Sequence, residues 1–183
     1  MENIEEIEKR IGYVFKNKDN IILALTHSSF ANENKGDRLQ SNERLEFLGD
    51  AVLNIIISEL IFKGKNNLSE GEMTKVRANI VCESSLMKCS QKINIGDYLL
   101  LGKGEEITGG RSRASILSDA FESVIGAVYL DGGLPNAREF ISRVMEQLIF
   151  RKRFREKATR KLHMKLLRKK ALITIKCLFQ MSR

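Results

Sequence analysis

Apolar residues recur at helical spacing through most of the chain, and no long stretch alternates in the way a half-buried strand would. In Asn42-Glu43-Arg44-Leu45-Glu46-Phe47-Leu48-Gly49-Asp50-Ala51-Val52-Leu53, a turn of about 100° per residue puts Leu45, Leu48, Val52, Ile55 and Ile56 on one side. Glu43, Glu46 and Asp50 fall on the other side, within an arc of roughly 60°. A second stretch, Ser118-Asp119-Ala120-Phe121-Glu122-Ser123-Val124-Ile125-Gly126-Ala127-Val128-Tyr129, repeats the arrangement. Phe121, Val124, Ile125 and Val128 define its apolar side, and Asp119, Glu122 and Gly126 the opposite one. Glycine within a helix costs about 1 kcal/mol relative to alanine, so Gly126 predicts a close approach on that face.

Weaker signals complete an all-α reading. Ile4, Ile7 and Ile11 predict a helix over 2–11 ending near Gly12, and Asp19 is a candidate cap for a helix through Ile21 to Leu25. The polar stretch Asn32 to Gln40 predicts a loop, after which Ser41 or Asn42 caps the acidic helix. Ser69 and Glu72 have capping-box spacing ahead of a helix reaching Val81. Residues 84–91 continue helical, and Gly96-Asp97-Tyr98 breaks the pattern. Gly102-Lys103-Gly104 lacks the rest of a phosphate loop and predicts a turn. Glu105 to Ser115 reads as a connection. Pro135 suits the first turn of a closing helix, 136–150, through Phe140, Val144 and Leu148.

Composition adds an asymmetry. The 183 residues are 43% apolar and carry a net charge of +8. Residues 151–183 hold 13 of the 31 bases and one of the 23 acids, leaving 18 bases against 22 acids in 1–150. The basic balance that suggests nucleic acid therefore belongs to the tail, on a mildly acidic body. Three cysteines without CxxC spacing predict a reducing, cytoplasmic setting and no structural zinc. No run of about 18 apolar residues predicts a membrane span, and no signal peptide is indicated.

The acidic helix faces admit two readings. Each could be a solvated surface, since like charges one turn apart merely destabilise an isolated helix by a few tenths of a kcal/mol. Alternatively, the two helices could pool Glu46, Asp50, Asp119 and Glu122 into one oxygen-rich site of the kind hard divalent cations prefer. With only His27 and His163 in the chain, paired histidine acid/base chemistry has no support.

Asn42 to Leu53, together with Gly109-Gly110-Arg111 through Ser115-Ile116-Leu117-Ser118-Asp119-Ala120-Phe121-Glu122 to Asp131-Gly132-Gly133, resembles the two signature blocks of the ribonuclease III family. The likeness runs from about Ile7 to Ile149. It implies an all-helical endonuclease domain over 1–150 that dimerises, cuts double-stranded RNA with Mg²⁺ (or Mn²⁺ in its place), and leaves 5′-phosphate ends and short 3′ overhangs in rRNA and mRNA processing. By that resemblance Glu46, Asp119 and Glu122 ligate metal, Asp50 and Glu122 are catalytic, Glu43 is peripheral, and Glu70 is a secondary acid near the RNA groove.

Thr26-His27 resembles a pair that family members carry before the signature helix. His27 could touch substrate or simply be hydrogen-bonded at a helix end. Phe47, beside the carboxylates rather than in the apolar arc, is assigned to the dimer interface. Arg111 and Arg113 could reach RNA phosphates or be solvated loop charges. The 33 residues of 151–183 are too few for the family's double-stranded-RNA-binding domain. They could be a basic helix gripping RNA, a disordered tail, or the product of a shifted reading frame. The rival function is a non-catalytic RNA-binding or assembly protein that keeps the fold.

Overall fold

The protein is described by a computed structural model over residues 2–34, 40–64 and 67–146. It divides into two compact units, Met1–Glu146 and Gln147–Arg183. The second unit, with the readings made of it, Cys177, His163 and the expected boundary after 150, lies outside the described residues.

Among the described residues the architecture is all-α. Helices α1 (Glu2–Ile11), α2 (Lys18–Leu25), α3 (Ser28–Glu33), α4 (Glu43–Phe62), α5 (Glu70–Ile80), α6 (Glu83–Lys92) and α7 (Lys103–Ile107) precede a helical run over residues 114–146, whose part before Gly133 is α8. Short 3-10 turns lie at Ile95–Tyr98 and Gly110–Ser112. One isolated parallel bridge joins Thr26 to Leu100.

The fold is organised around α8. Ala120, Phe121, Val124, Ile125, Ala127 and Val128 are all fully buried, so this helix is covered on nearly every side rather than on one apolar face. At Gly133 φ reaches +75°, a left-handed conformation that glycine adopts without steric penalty, and Pro135 follows. The segment beyond it returns Phe140 against Phe121, ring centroids 5.6 Å apart. Leu45, Val52, Leu53, Ile56 and Ile57 of α4 supply the facing layer. Burial of each such side chain contributes about 1.5–3 kcal/mol.

Several boundaries differ from the expected ones. Asn17, not Asp19, caps α2: its Oδ1 accepts from the Asp19 N–H at 2.9 Å. Asn42 holds the cap position of α4, but its side chain makes no capping bond and instead reaches the Ala24 carbonyl at 3.5 Å. The expected loop from Asn32 begins inside α3, and residues 35–39 lie outside the described ones.

The 105–115 connection contains α7 and a 3-10 turn, because the Glu33 carboxylate accepts from the N–H groups of Lys103 and Gly104. That occupancy also explains why Gly102-Lys103-Gly104 is no phosphate loop. Ile55, expected in the apolar arc of α4, is 58% exposed, at the edge of a groove between α4 and α5. The Ser69–Glu72 capping box forms as expected, with Glu72 Oε2 accepting from the Ser69 N–H at 2.8 Å.

Candidate metal centre

The two acidic helices cross where each has a glycine. A Cβ on Gly49 would lie 1.8 Å from the Glu122 carbonyl oxygen, and one on Gly126 would lie 2.3 Å from the Leu45 carbonyl oxygen. Both obstacles are backbone, so nothing larger than hydrogen fits. The close approach expected at Gly126 is therefore made by α4 itself. Gly49, its counterpart, carries the same interior-glycine signal in the one-dimensional pattern, but only Gly126 was read for it.

Hydrogen bonds fix the register of the crossing. Buried Asn42 donates its N–H to Thr26 O at 2.8 Å, and its carbonyl accepts from Ser123 Oγ at 3.2 Å. The end of α2, the start of α4 and the middle of α8 are thereby tied together one turn from Asp119.

At this crossing Glu46, Asp119 and Glu122 converge, each half-buried, with one potential ligand atom apiece lying within 4.8 Å of the others. The electrostatics follow from the crowding. Burial, then the charges of Asp50, Glu46 and Asp119, pushes Glu122 up to about 8. Burial, then Asp119, Glu43 and Asp50, raises Glu46. Asp119 is also raised, first by burial and then by Glu83 at the start of α6, against a hydrogen bond from Ser118 Oγ at 3.2 Å and the nearby His27. Three hard oxygen donors that resist ionising together fit a divalent cation, whose charge would relieve both burial and repulsion.

Asp50 lies one turn beyond Glu46, exposed at the rim. Asn54 Nδ2 donates to Asp50 Oδ1 at 2.6 Å and orients it. Glu43 acts on Glu46 through its charge and is not among the converging ligand atoms. Glu70 is not brought into the cluster. It accepts from Thr74 Oγ1 at 3.0 Å and lines the α4/α5 groove with Ile55, Phe62, Met73 and Arg77.

Arg111 donates to the carbonyls of Gly96 and Leu99, both at 2.9 Å, and pairs with Glu106; Arg113 pairs with Glu105. These two arginines brace the 96–113 segment. Asn54, Glu83 and Ser123 went unnoticed in the sequence, and Asn42 was expected only as a cap, because each acts through a partner that only the folded chain brings near.

The structure of the chain agrees with its relatives. The family model described as ribonuclease-III-like matches residues 17–148. A curated protein named ribonuclease 3 from Caldanaerobacter subterraneus is 52% identical over 143 residues, 78% of this chain and 62% of that protein. Another of that name from Clostridium perfringens is 51% identical over 147 residues, 80% of this chain and 61% of that one. The chain thus spans about six-tenths of the length of these curated relatives.

Among solved structures, the nuclease domain of ribonuclease III from Campylobacter jejuni superposes with a TM-score of 0.73 at 42% identity, covering 79% of this chain and 96% of that one. That structure is described as flexible in a region involved in dimer formation. With two signature blocks on crossing helices, an all-α body and likeness at this level across the described unit, the chain belongs to the ribonuclease-III-like family.

Proposed function

We propose that this chain is an endoribonuclease that hydrolyses phosphodiester bonds of double-stranded RNA with Mg²⁺, leaving 5′-phosphate ends, in the processing of rRNA and mRNA precursors. The observation that carries the reading is the convergence of Glu46, Asp119 and Glu122 from two helices to within 4.8 Å. Kinship with proteins named ribonuclease 3 supports it. A non-catalytic relative would have no need to keep four acids whose mutual repulsion destabilises the metal-free fold.

Glu46, Asp119 and Glu122 would hold the cation, which when bound supplies charge neutralisation at phosphorus and activation of water. Glu122 keeps its proton at neutral pH until a cation displaces it, which makes it the most responsive of the three. Asp50, its rotamer fixed by Asn54, offers its other oxygen at the rim to align the attacking water. Glu43 adds negative charge behind Glu46. Glu70, across the groove floor from the cluster's helix, is a secondary acid for the RNA rather than a ligand.

The chain is proposed to act as a homodimer. Phe47, Ile55 and Phe62 of α4 are 81%, 58% and 75% exposed. Ile55 and Phe62 line a groove of about 520 Å³ whose walls are mostly apolar. Three large apolar side chains this exposed on one helix mark an interaction face. A two-fold pairing would present two acidic centres to the two strands of an A-form duplex, read by shape and phosphates.

Incubating the purified chain with labelled duplex RNA, with and without Mg²⁺, tests the reading. Mg²⁺-dependent products with 5′-phosphates are expected from the duplex and not from a single strand. Duplex binding without cleavage would favour the assembly-protein alternative, and cutting in the presence of a chelator would contradict the metal mechanism.

A further inference from the structure

His27 occupies the N-cap position of α3, half-buried, between two anchored segments. Its own N–H donates to Leu100 O at 3.0 Å, and the preceding Thr26 carbonyl accepts from Asn42 N–H at 2.8 Å. The imidazole is anchored as well. Ser29 N–H donates to His27 Nδ1 at 3.2 Å, and Ser29 Oγ lies 2.8 Å from the same nitrogen. Ser29 Oγ in turn accepts from Gly102 N–H at 2.9 Å, so its hydroxyl hydrogen is left to donate toward the ring.

A backbone N–H can only donate, and Nδ1 is therefore an acceptor. In the neutral ring that leaves the proton on Nε2. Among the described residues Nε2 has no hydrogen-bond partner, although the ring lies within electrostatic range of the Asp119 carboxylate. Two contacts at Nδ1, on a backbone anchored to Leu100 and Asn42, thus fix a ring whose remaining donor has no partner among the described residues.

We infer that His27 is a substrate-binding residue of the acidic centre, its Nε2–H donating to a phosphate or ribose oxygen of the RNA strand held beside Asp119. The inference rests on the endoribonuclease reading. It accounts for a feature that capping alone leaves idle: a cap uses only Nδ1, and asparagine would serve that purpose equally well. The donor lies on the α2–α3 side of the centre, which contributes none of the carboxylates, so it would hold the strand from a direction the acids cannot.

His27→Asn separates the two roles, because an asparagine oxygen can keep the cap while the Nε2 donor is lost. His27→Gln places an amide N–H near the former Nε2 position. With the full chain, duplex RNA and Mg²⁺, His27→Asn is expected to lower kcat/KM about 10- to 100-fold, the range for losing one hydrogen bond to a charged group. Its melting temperature should stay within about 2 °C and its Mn²⁺ affinity should be unchanged. His27→Gln should recover part of the rate.

Independently of any folding change, the ¹⁵N resonance of His27 Nε2 should shift when duplex RNA is added to the uncleaving Glu122→Gln chain with Mg²⁺. Wild-type activity in His27→Asn, or an unmoved Nε2 resonance on binding, overturns the inference. Absence of cleavage by the wild type would instead sink the endoribonuclease reading beneath it.

Discussion

Glu122 is half-buried beside three other carboxylates, and its proton therefore stays on to about pH 8 rather than leaving near 4.5. A folded-state pKa raised above the unfolded one makes the native state bind more protons between those values. Stability from this group is fully present below about 4.5 and is lost as pH rises through about 8. Glu46 and Asp119, also raised, act in the same direction. The metal-free melting temperature should therefore fall between pH 5 and pH 8, the slope should shrink in Glu122→Gln, and saturating Mg²⁺ should flatten it in the wild type.

Glu122→Gln and Asp50→Asn should each abolish duplex cleavage and leave RNA binding largely intact; Mg²⁺-dependent cutting by either variant would refute its assigned role. Asp131 is the contrasting carboxylate. Although burial opposes it, the N–H groups of Asn17 and Lys16, with Tyr13 and Asn20, hold it down at about 2. Asp131→Ala should lower unfolding free energy by about 1–3 kcal/mol in urea titrations without touching the metal centre. The converging acids were legible in the sequence because they sit at fixed offsets on two helices. Asp131's bracing of residues 13–20 was not, since its partners are more than a hundred residues away.

Helix identity was readable wherever an apolar face repeats, as in α1, α4, α5 and α6. It failed for α7, and for α8 it found the helix but not its depth, because there a tertiary partner does the work. α7 exists because Glu33 satisfies its first N–H groups, and α8 is buried nearly all round, so its one-sided pattern understates its place in the core. Ile55 fell into the expected core arc because a wheel treats the whole helix as facing one layer, whereas α4 meets α8 along one flank and leaves another open beside α5. The α4/α8 crossing is the most demanding junction. Gly49→Ala must push backbone away from backbone, since its Cβ would lie 1.8 Å from the Glu122 carbonyl. It should cost about 3 kcal/mol of stability, and at temperatures where the fold persists it should weaken Mn²⁺ binding by spreading the ligands. Unaltered Mn²⁺ affinity would show that the crossing does not set the ligand spacing.

At the scale of the whole molecule, the proposed function has an acidic body meet a polyanion. The 22 acids against 18 bases in 1–150 make duplex association by the body alone unfavourable without counter-charge. A cation held by Glu46, Asp119 and Glu122 would offset part of that charge. The exposed face of α4 should show itself in sedimentation: dimers at micromolar concentration for the wild type, and a shift toward monomer for Ile55→Asp. Monomer alone in the wild type would contradict the pairing.

The most direct test concerns the cation shared by the two helices. Mn²⁺ should be titrated calorimetrically into the chain at pH 7 in two buffers of different ionisation enthalpy. If Glu46, Asp119 and Glu122 ligate one ion, binding should release about one proton per ion, supplied mainly by Glu122, and the release should vanish in Glu122→Gln. Binding with no proton release, or release that persists in that variant, would contradict a centre built from both helices.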